Sequence, residues 1–509
     1  MIKARGFRGN GHSHADGLGQ ACRSLACRIA RCTRQPTGIG LGMIFAMGKG
    51  TMTATKRATR RTSKEEDQDR PRVHLASLGC AKNLVDSERL LAKLAAAGAI
   101  VGAAPEDADV IVVNTCGFIR PAKEESIGAI AEYSRLKEEG SCRKLVVMGC
   151  LAERYAGELR EGFPEVDAVF GIHQQDAVVA ACGLVLSDTE DPGRLLVTPG
   201  HTAYLRISEG CDNRCSYCAI PLIRGGFSSR PSQEILDEAR RLVAGGVREL
   251  VVIGQDTTLY GTDLVGEIHI HELLARLNEI SHVRWIRLLY THPAHFTQEL
   301  VDAYVSLSKL CPYVDVPLQH LSDRILGRMK RRVTQAQCLD LIGRLRSAVP
   351  GIAIRTTFLV GFPGETRAEF NELLRLAKEL RFDHLGAFAY SREDGTSAAR
   401  LPEQISERAK SRRLRDLMLA QQEIAFERNR AMRGEVLEAV VDRPSAERGV
   451  WIARSRTQAP DVDGVTYLRG ECLRPGLFVQ AKITGSRGYD LVARACEPVH
   501  EVRKEHSRG

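Results

Sequence analysis

The sequence predicts an α/β protein in three parts: a parallel sheet with helices on both faces, a partial barrel, and a small all-β barrel. Three observations carry this. Apolar runs of strand length alternate with helical spacing over residues 72–185. The same alternation recurs over 198–430, with polar residues gathered after the strands. From Gly434 the period shortens to strands joined by glycine-bearing turns.

At 509 residues the chain exceeds what one core ordinarily holds. The formal charge of +9 is unevenly spread: residues 1–72 carry 15 Lys/Arg against 5 Asp/Glu, and the other 437 carry 57 against 58. A high pI is therefore no sign of nucleic-acid affinity. The basic extension, residues 1–71, shows no sustained amphipathic period and is expected to be disordered. Its run GLGMIFAMG is too short for a secretory signal. An organelle transit peptide is a minority reading, and translation starting at Met47 or Met52 is a third. Cys22, Cys27 and Cys32 have a CxxxxCxxxxC spacing that matches no common metal site. Residues 500–509 form a polar tail. The fifteen cysteines are not spaced as a disulfide framework, so a reducing cytoplasm is expected. No run approaches the roughly 20 apolar residues that cross a membrane.

In the first domain, 72–185, the run Val73–Leu78 ends in Gly79-Cys80, and a helix follows from Asn83 to Ala97 with Leu84, Leu90, Leu91 and Leu94 on one side. Asp109–Val113 repeats the pattern and ends in Asn114-Thr115-Cys116; Pro121 then opens a helix with Glu124 and Glu125 in its first turn. Lys144–Met148 ends in Gly149-Cys150, followed by a helix over 151–161 and a short run at Val166–Phe170. Ligands of parallel sheets gather beyond the carboxyl ends of the strands. One cysteine there would ordinarily be a small buried residue. Three in equivalent positions, Cys80, Cys116 and Cys150, point to a shared cluster. Cys142 and Cys182 lack that placement and are expected to be packing or surface residues.

In the central domain, 198–430, the strand Tyr204–Ile207 leads through Glu209-Gly210 into CxxxCxxC at Cys211, Cys215 and Cys218. Thiolates at that spacing can wrap three irons of a [4Fe–4S] cubane and leave the fourth open. Zinc would need a fourth ligand, such as Cys311 or a histidine. Arg224, Gly225 and Gly226 are expected to continue a tight basic turn. Further strands are expected at Leu250–Ile253, Trp285–Leu288, Val314–Val316, Ile354–Val360 and His384–Phe388. Helices are expected at 232–244, 267–280, 321–331, 334–347, 366–380 and 403–430. That count is nearer six units than eight, so the barrel is expected to be partial.

The last domain, 432–499, has strand signals at Glu435–Val441, Val450–Ser455, Val465–Leu468, Leu477–Thr484 and Tyr489–Ala493, which fit a five-stranded barrel. Its ten Lys/Arg and nine Asp/Glu give little drive toward phosphate. Asp461 and Asp463 in QAPDVDG read equally well as a solvated turn.

CxxxCxxC with Tyr217 before its last cysteine resembles the radical S-adenosylmethionine superfamily. SLGCAKNLVDSE (77–88), NTCGFIRPAKEESI (114–127) and VVMGC (146–150) narrow the resemblance to methylthiotransferases, over residues 72–497. The terminal barrel looks like the TRAM module of that family. The resemblance implies a radical SAM barrel in which S-adenosylmethionine binds the open iron held by Cys211, Cys215 and Cys218. One electron then releases a 5′-deoxyadenosyl radical that removes hydrogen from an unactivated carbon. It also implies an auxiliary [4Fe–4S] cluster on Cys80, Cys116 and Cys150 that handles sulfur, with a second S-adenosylmethionine giving the methyl group. S-adenosylmethionine contacts are expected from Tyr217, Gln255, Gln319, Gly361, Gly364 and Glu365, with Arg224 and Tyr290 as weaker candidates.

Within the family, CSYCAIPLIRGGFSSRP (215–231), CPYVDVPLQHLSD (311–323), FAYSREDGTSAA (388–399) and QAPDVDG resemble the branch that modifies an aspartate of ribosomal protein uS12. The implied partners are uS12, free or in the small subunit, a reductant such as flavodoxin or ferredoxin, and a sulfur donor. A monomer that does not engage membranes is expected. His292 and Ala81 stand where the family more often has other residues. The alternatives are the branch acting on isopentenylated tRNA adenosine, a two-cluster electron carrier, and a non-catalytic RNA-binding adaptor.

Overall fold

The computed structural model describes residues 70–140, 142–186 and 191–498. Expectations for Cys22, Cys27 and Cys32, for the extension up to residue 69, and for the tail lie outside the described residues. The chain divides into two compact units, one running to Pro192 and one from Gly193.

The first unit is β1 (Arg72–Ser77), α1 (Ala81–Ala96), β2 (Ile100–Val101), β3 (Val110–Thr115), α2 (Arg120–Glu138), β4 (Lys144–Gly149), α3 (Cys150–Gly162), β5 (Ala168–Phe170) and α4 (Gln175–Ala181). The strands form one parallel sheet in the order β2-β1-β3-β4-β5. Every residue of β3 is buried, as a central parallel strand requires. Alternate side chains enter different cores. Ile111 and Val113 meet Ile127, Ile130 and Leu159, whereas Val110 and Val112 meet Leu90, Leu94 and Val178. Cys142 and Cys182 are buried packing residues of these two cores. The edge strand β2 was not expected, because two residues show no alternation to read.

The second unit continues with β6 (Thr202–Arg206), β7 (Ser208–Glu209), α5 (Ile220–Arg224), β8 (Ser228–Ser229), α6 (Ser232–Ala244), β9 (Glu249–Ile253), α7 (Ile270–Glu279), β10 (Trp285–Leu288), α8 (Gln298–Ser306), β11 (Tyr313–Asp315), α9 (Asp323–Arg328), α10 (Gln335–Ala348), β12 (Ala353–Val360), α11 (Arg367–Leu380), β13 (His384–Ala389) and α12 (Glu407–Ala431). Strands β6, β9 and β10 pair in parallel, as do β11, β12 and β13. A single bridge, Ile286 to Leu310, links the two sets. Among the described residues no pairing returns β13 to β6, so six strands make an open barrel. Its strands and helices share one large apolar core, including Leu205, Leu250, Leu288, Phe358 and Leu417. Helix α8 and the β7–β8 hairpin were not anticipated. Arg224 is no part of a tight basic turn: it ends α5, buried and paired with Glu209 at 3.0 Å.

The remaining strands, β14 (Val436–Pro444), β15 (Val450–Ser455), β16 (Thr466–Arg469), β17 (Phe478–Arg487) and β18 (Asp490–Pro498), close a barrel in the order β14-β15-β16-β18-β17. It is seated on the amino ends of the six parallel strands, through the first residues of five of them. Glu249 takes Arg454 at 2.8 Å and also accepts from Thr202 at 3.1 Å. Trp285 Nε1 donates to Glu438 at 2.8 Å, and His384 Nε2 lies 2.8 Å from the Thr457 carbonyl. The Tyr313 hydroxyl donates to Asp463 at 2.7 Å. The solvated-turn reading of QAPDVDG is therefore overturned. Asp461 accepts from the Tyr204 hydroxyl at 3.1 Å, and the Asp463 carboxylate, 2% exposed, also faces Arg355 and His384, each at 3.4 Å. Acidic residues in a turn pattern can equally be inserted into a partner's cationic floor, which lies more than a hundred residues away here. No helix among the described residues is long and apolar enough to cross a membrane.

Candidate active site: two thiol trios

In the first unit Cys80 is the N-cap of α1, Cys116 follows β3, and Cys150 is the first residue of α3. All three therefore lie beyond the carboxyl ends of adjacent strands β1, β3 and β4, next to the point where strand order reverses. A lattice of motif side chains sets the spacing. Asn83 donates to the carbonyls of Leu78 at 2.7 Å and Thr115 at 3.1 Å. Asn114 donates to the Asn83 carbonyl at 3.0 Å and to Ser87 Oγ at 2.9 Å, and Thr115 Oγ1 to the Met148 carbonyl at 2.6 Å. The Cys116 amide donates to Ser126 Oγ at 2.9 Å.

Burial, and then the neighbouring Cys80 and Cys150, push the Cys116 thiol up to about 12. Three thiols within one another's electrostatic reach, none in a disulfide, cannot all ionise unless a cation joins them. Such an all-sulfur donor set fits an iron–sulfur cluster.

Gly79 holds the first and second thiol loops together. Its φ is +94°, and a Cβ there would lie 2.7 Å from Cys116 Cβ and 2.9 Å from its sulfur. Gly79→Ala is expected to lose iron from this site in a metal assay of purified protein. Gly98→Ala is the control for backbone strain alone, because its φ is +96° with nothing within 4 Å of the added carbon. Equal iron in the two variants would refute the close-approach argument.

In the second unit the CxxxCxxC loop leaves β7 at the carboxyl end of the barrel. The Cys211 amide donates to the Gly225 carbonyl at 3.2 Å, and the Ser216 amide to the Met329 carbonyl at 3.0 Å. Tyr217 packs on a cluster containing Ile325, Met329, Phe362 and Tyr390, which turns the backbone on both sides of the ring. Burial, then Cys215 and Cys211, push the Cys218 thiol up to about 12. This second trio again fits a thiolate-bound cluster. Cys311 adds no fourth ligand: it is buried among Arg287, Arg456 and Glu249 at the other end of the barrel.

Gln255 lies beside this loop, donating to Glu209 at 3.1 Å, and its buried Oε1 has no partner. Burial would raise the Glu209 carboxyl, but Arg206 and Arg224 outweigh it and hold it below the ordinary range. Gln319 has φ +69° and links β11 to β12 through its amide, 2.8 Å from the Thr357 carbonyl. Tyr290, also at positive φ, gives its amide to Asp315 at 2.9 Å.

Glu365 is 2% exposed; one carboxylate oxygen accepts from the Gly361 amide and pairs with Arg413 at 3.1 Å, while Oε1 is buried with no hydrogen-bond partner. Gly361 presses on Lys410, and Gly364 on the Arg328–Glu403 pair.

Sequence reading missed a polar layer under the three-cysteine loop. Asn213 donates to Cys211 sulfur at 3.4 Å and to Asp256 at 2.7 Å, and His295 Nδ1 lies 2.9 Å from Asp256. Asp256, His292 and His295 bring ligand atoms within 4.8 Å of one another. Both Asp256 oxygens are already taken by Thr258, Asn213 and His295, so this trio braces the loop and is no separate metal site. Only the adjacency of Asn213 to Cys211 was visible beforehand.

Residues 72–171 match the uncharacterized protein family UPF0004, 205–377 the radical SAM superfamily, and 434–496 the TRAM domain. A ribosomal protein uS12 methylthiotransferase RimO of Desulforamulus reducens is 45% identical over 444 residues, covering 84% of this chain and 100% of that protein. The protein of that name from Geobacter sulfurreducens is 44% identical over 436 residues, 83% and 98% of the two chains. Among solved structures, the radical S-adenosylmethionine methyltransferase TsrM of Kitasatospora setae overlaps with a TM-score of 0.48 at 17% identity, over 65% of this chain and 77% of that one.

Proposed function

The chain belongs to the ribosomal protein uS12 methylthiotransferase family, and from that premise we propose that it converts one aspartate of uS12 to its 3-methylthio derivative. The observation that carries this reading is the convergence of Cys80, Cys116 and Cys150 at three adjacent strand ends, a second all-sulfur site in addition to the radical SAM motif. Cys211, Cys215 and Cys218 would hold the cluster that engages S-adenosylmethionine, and Cys80, Cys116 and Cys150 the auxiliary one. When bound, the first cluster supplies the electron that cleaves S-adenosylmethionine and so opens an unreactive C–H bond to sulfur insertion.

The residues around the three-cysteine loop are suited to orienting that ligand. Gln255 Oε1 is a buried acceptor with no partner, and Tyr217 fixes the backbone between the second and third thiols. Gln319 stands at a neighbouring strand end. These three are the S-adenosylmethionine contacts we assign.

The choice of protein over tRNA is supported by the terminal barrel. Arg454, Asp442, Glu438 and Asp463 are spent on the parallel strands, and a near-neutral domain gives a phosphate backbone little to hold. The reaction is placed in the cytoplasm, with an external one-electron donor such as flavodoxin or ferredoxin and a separate sulfur donor, and the enzyme is read as a monomer.

Anaerobic reconstitution should give about eight irons per chain, two cubanes. Incubation with uS12, S-adenosylmethionine, sulfide and a reductant should add ~46 Da to one aspartate, hydrogen replaced by methylthio. Modification of tRNA with uS12 untouched would select the other branch of the family.

A further inference from the structure

The buried arginines of the second unit other than Arg331 are paired with carboxylates: Arg287 and Arg454 with Glu249, Arg206 and Arg224 with Glu209, Arg413 with Glu365. Arg331 departs from this. It is 5% exposed, and among the described residues no carboxylate lies within ion-pairing distance of it. Its Nη2 donates to the Pro317 carbonyl at 2.5 Å, its Nη1 points at the sulfur of Cys215 at 3.8 Å, and its buried Nε–H has no acceptor. Beside it His292 accepts from the Ala294 amide at Nδ1, which leaves the ring proton on Nε2, another buried donor without a partner.

A guanidinium taken out of water without a counter-charge is strongly unfavourable. The side chain is nonetheless held in place by the turn after α9, where the Arg331 amide donates to the Leu326 carbonyl at 3.0 Å. Asp256 acts on it only from beyond ion-pairing distance, and the anionic centre its Nη1 points at is the sulfur of Cys215.

We infer that Arg331 is the counter-cation of the thiolate-bound iron–sulfur group at Cys211, Cys215 and Cys218, and that its N–H groups raise the reduction potential of that group. This rests on the reading of the three cysteines as cluster ligands. Donors to cluster sulfur and a nearby positive charge both favour the form carrying the extra electron. Arg331 acts through the cluster and is a positioning residue, not a catalytic one.

The test is a dithionite titration of the full, anaerobically reconstituted protein, followed by electron paramagnetic resonance. The signal that changes on adding S-adenosylmethionine identifies this cluster. Arg331→Gln should retain iron while its reduction equilibrium falls at least tenfold, a drop of about 59 mV for one electron. Arg331→Lys, which keeps the charge but not the planar fork, should shift the same way by less. Arg332→Gln, the same charge change at an exposed neighbour, should move it less than twofold. An unmoved midpoint in Arg331→Gln overturns the inference and leaves the cysteine reading standing. If that variant does not load iron, Arg331→Met is the second variant that removes the charge, and an unmoved midpoint there overturns it. A wild-type protein with no signal responsive to S-adenosylmethionine would remove the cysteine reading and this inference together.

Discussion

Cys116→Ala is expected to yield a protein with about four irons per chain instead of about eight, one cubane lost. It should still cleave S-adenosylmethionine and should transfer no methylthio group. Cys116 follows the central strand of a five-stranded sheet, between the strands that end at Cys80 and Cys150. Removing its sulfur leaves two thiols, one exposed and one buried, too few to hold a cubane. The other trio is carried by a different compact unit, so its ligands are untouched. Cys142→Ala makes the control. That thiol is equally buried but sits before β4, at the opposite end of the strand from Cys150, donating to the Lys144 carbonyl at 2.9 Å. Iron and sulfur transfer should both survive there. Unchanged iron in Cys116→Ala, or loss of S-adenosylmethionine cleavage with it, would refute the division of labour between the two trios.

What could be read beforehand had a local cause. β3 and β9 carry apolar residues on both faces over Val110–Val113 and Leu250–Ile253 because they are central strands, and such runs declare this without knowledge of their neighbours. Helix ends with their own signals were equally plain: Thr366 caps α11 through a box closed by Glu369 three residues on. Cys80, Cys116 and Cys150 could be grouped because parallel topology alone brings successive strand ends together.

Features that escaped depend on partners distant in the chain. Arg331 meets Cys215 across 116 residues, and Arg454 meets Glu249 across 205. Arg331 does not differ locally from its exposed neighbours Lys330 and Arg332. Glu365 has a partner of the same kind: Arg413, 48 residues later, takes one of its carboxylate oxygens.

Glu249→Gln is expected to destabilise the protein by about 3–5 kcal/mol, the cost of removing one member from a buried ion cluster. Glu249 is fully buried at the first position of β9, where it receives Arg287 at 3.1 Å and Arg454 at 2.8 Å. Glutamine keeps the shape and one acceptor, but leaves Arg454 with Asp442 alone and Arg287 with only the carbonyls of Arg456 and Ser455. Glu447→Gln removes the same charge from an exposed position of the terminal barrel, where it pairs with Arg469 and Arg487, and should cost no more than about 1 kcal/mol.

The pH dependence separates this from lost packing. Burial alone would raise Glu249, Asp442 and Asp463, yet each is held below its ordinary range. Arg454 and Arg287 do this for Glu249, Arg454 for Asp442, which falls to about 2, and His384 with Arg355 for Asp463. Groups whose folded pKa is depressed contribute fully above their unfolded values, near 4, and lose that contribution as pH falls toward 2. Wild-type stability should therefore drop steeply between about pH 4 and pH 2. Glu249→Gln should drop less steeply over the same interval, because one of the three carboxylates no longer takes up a proton. Denaturant titrations at pH 7 and at pH 3 would measure both effects, and parallel pH curves for the two proteins would show that Glu249 is not ionised in this interface.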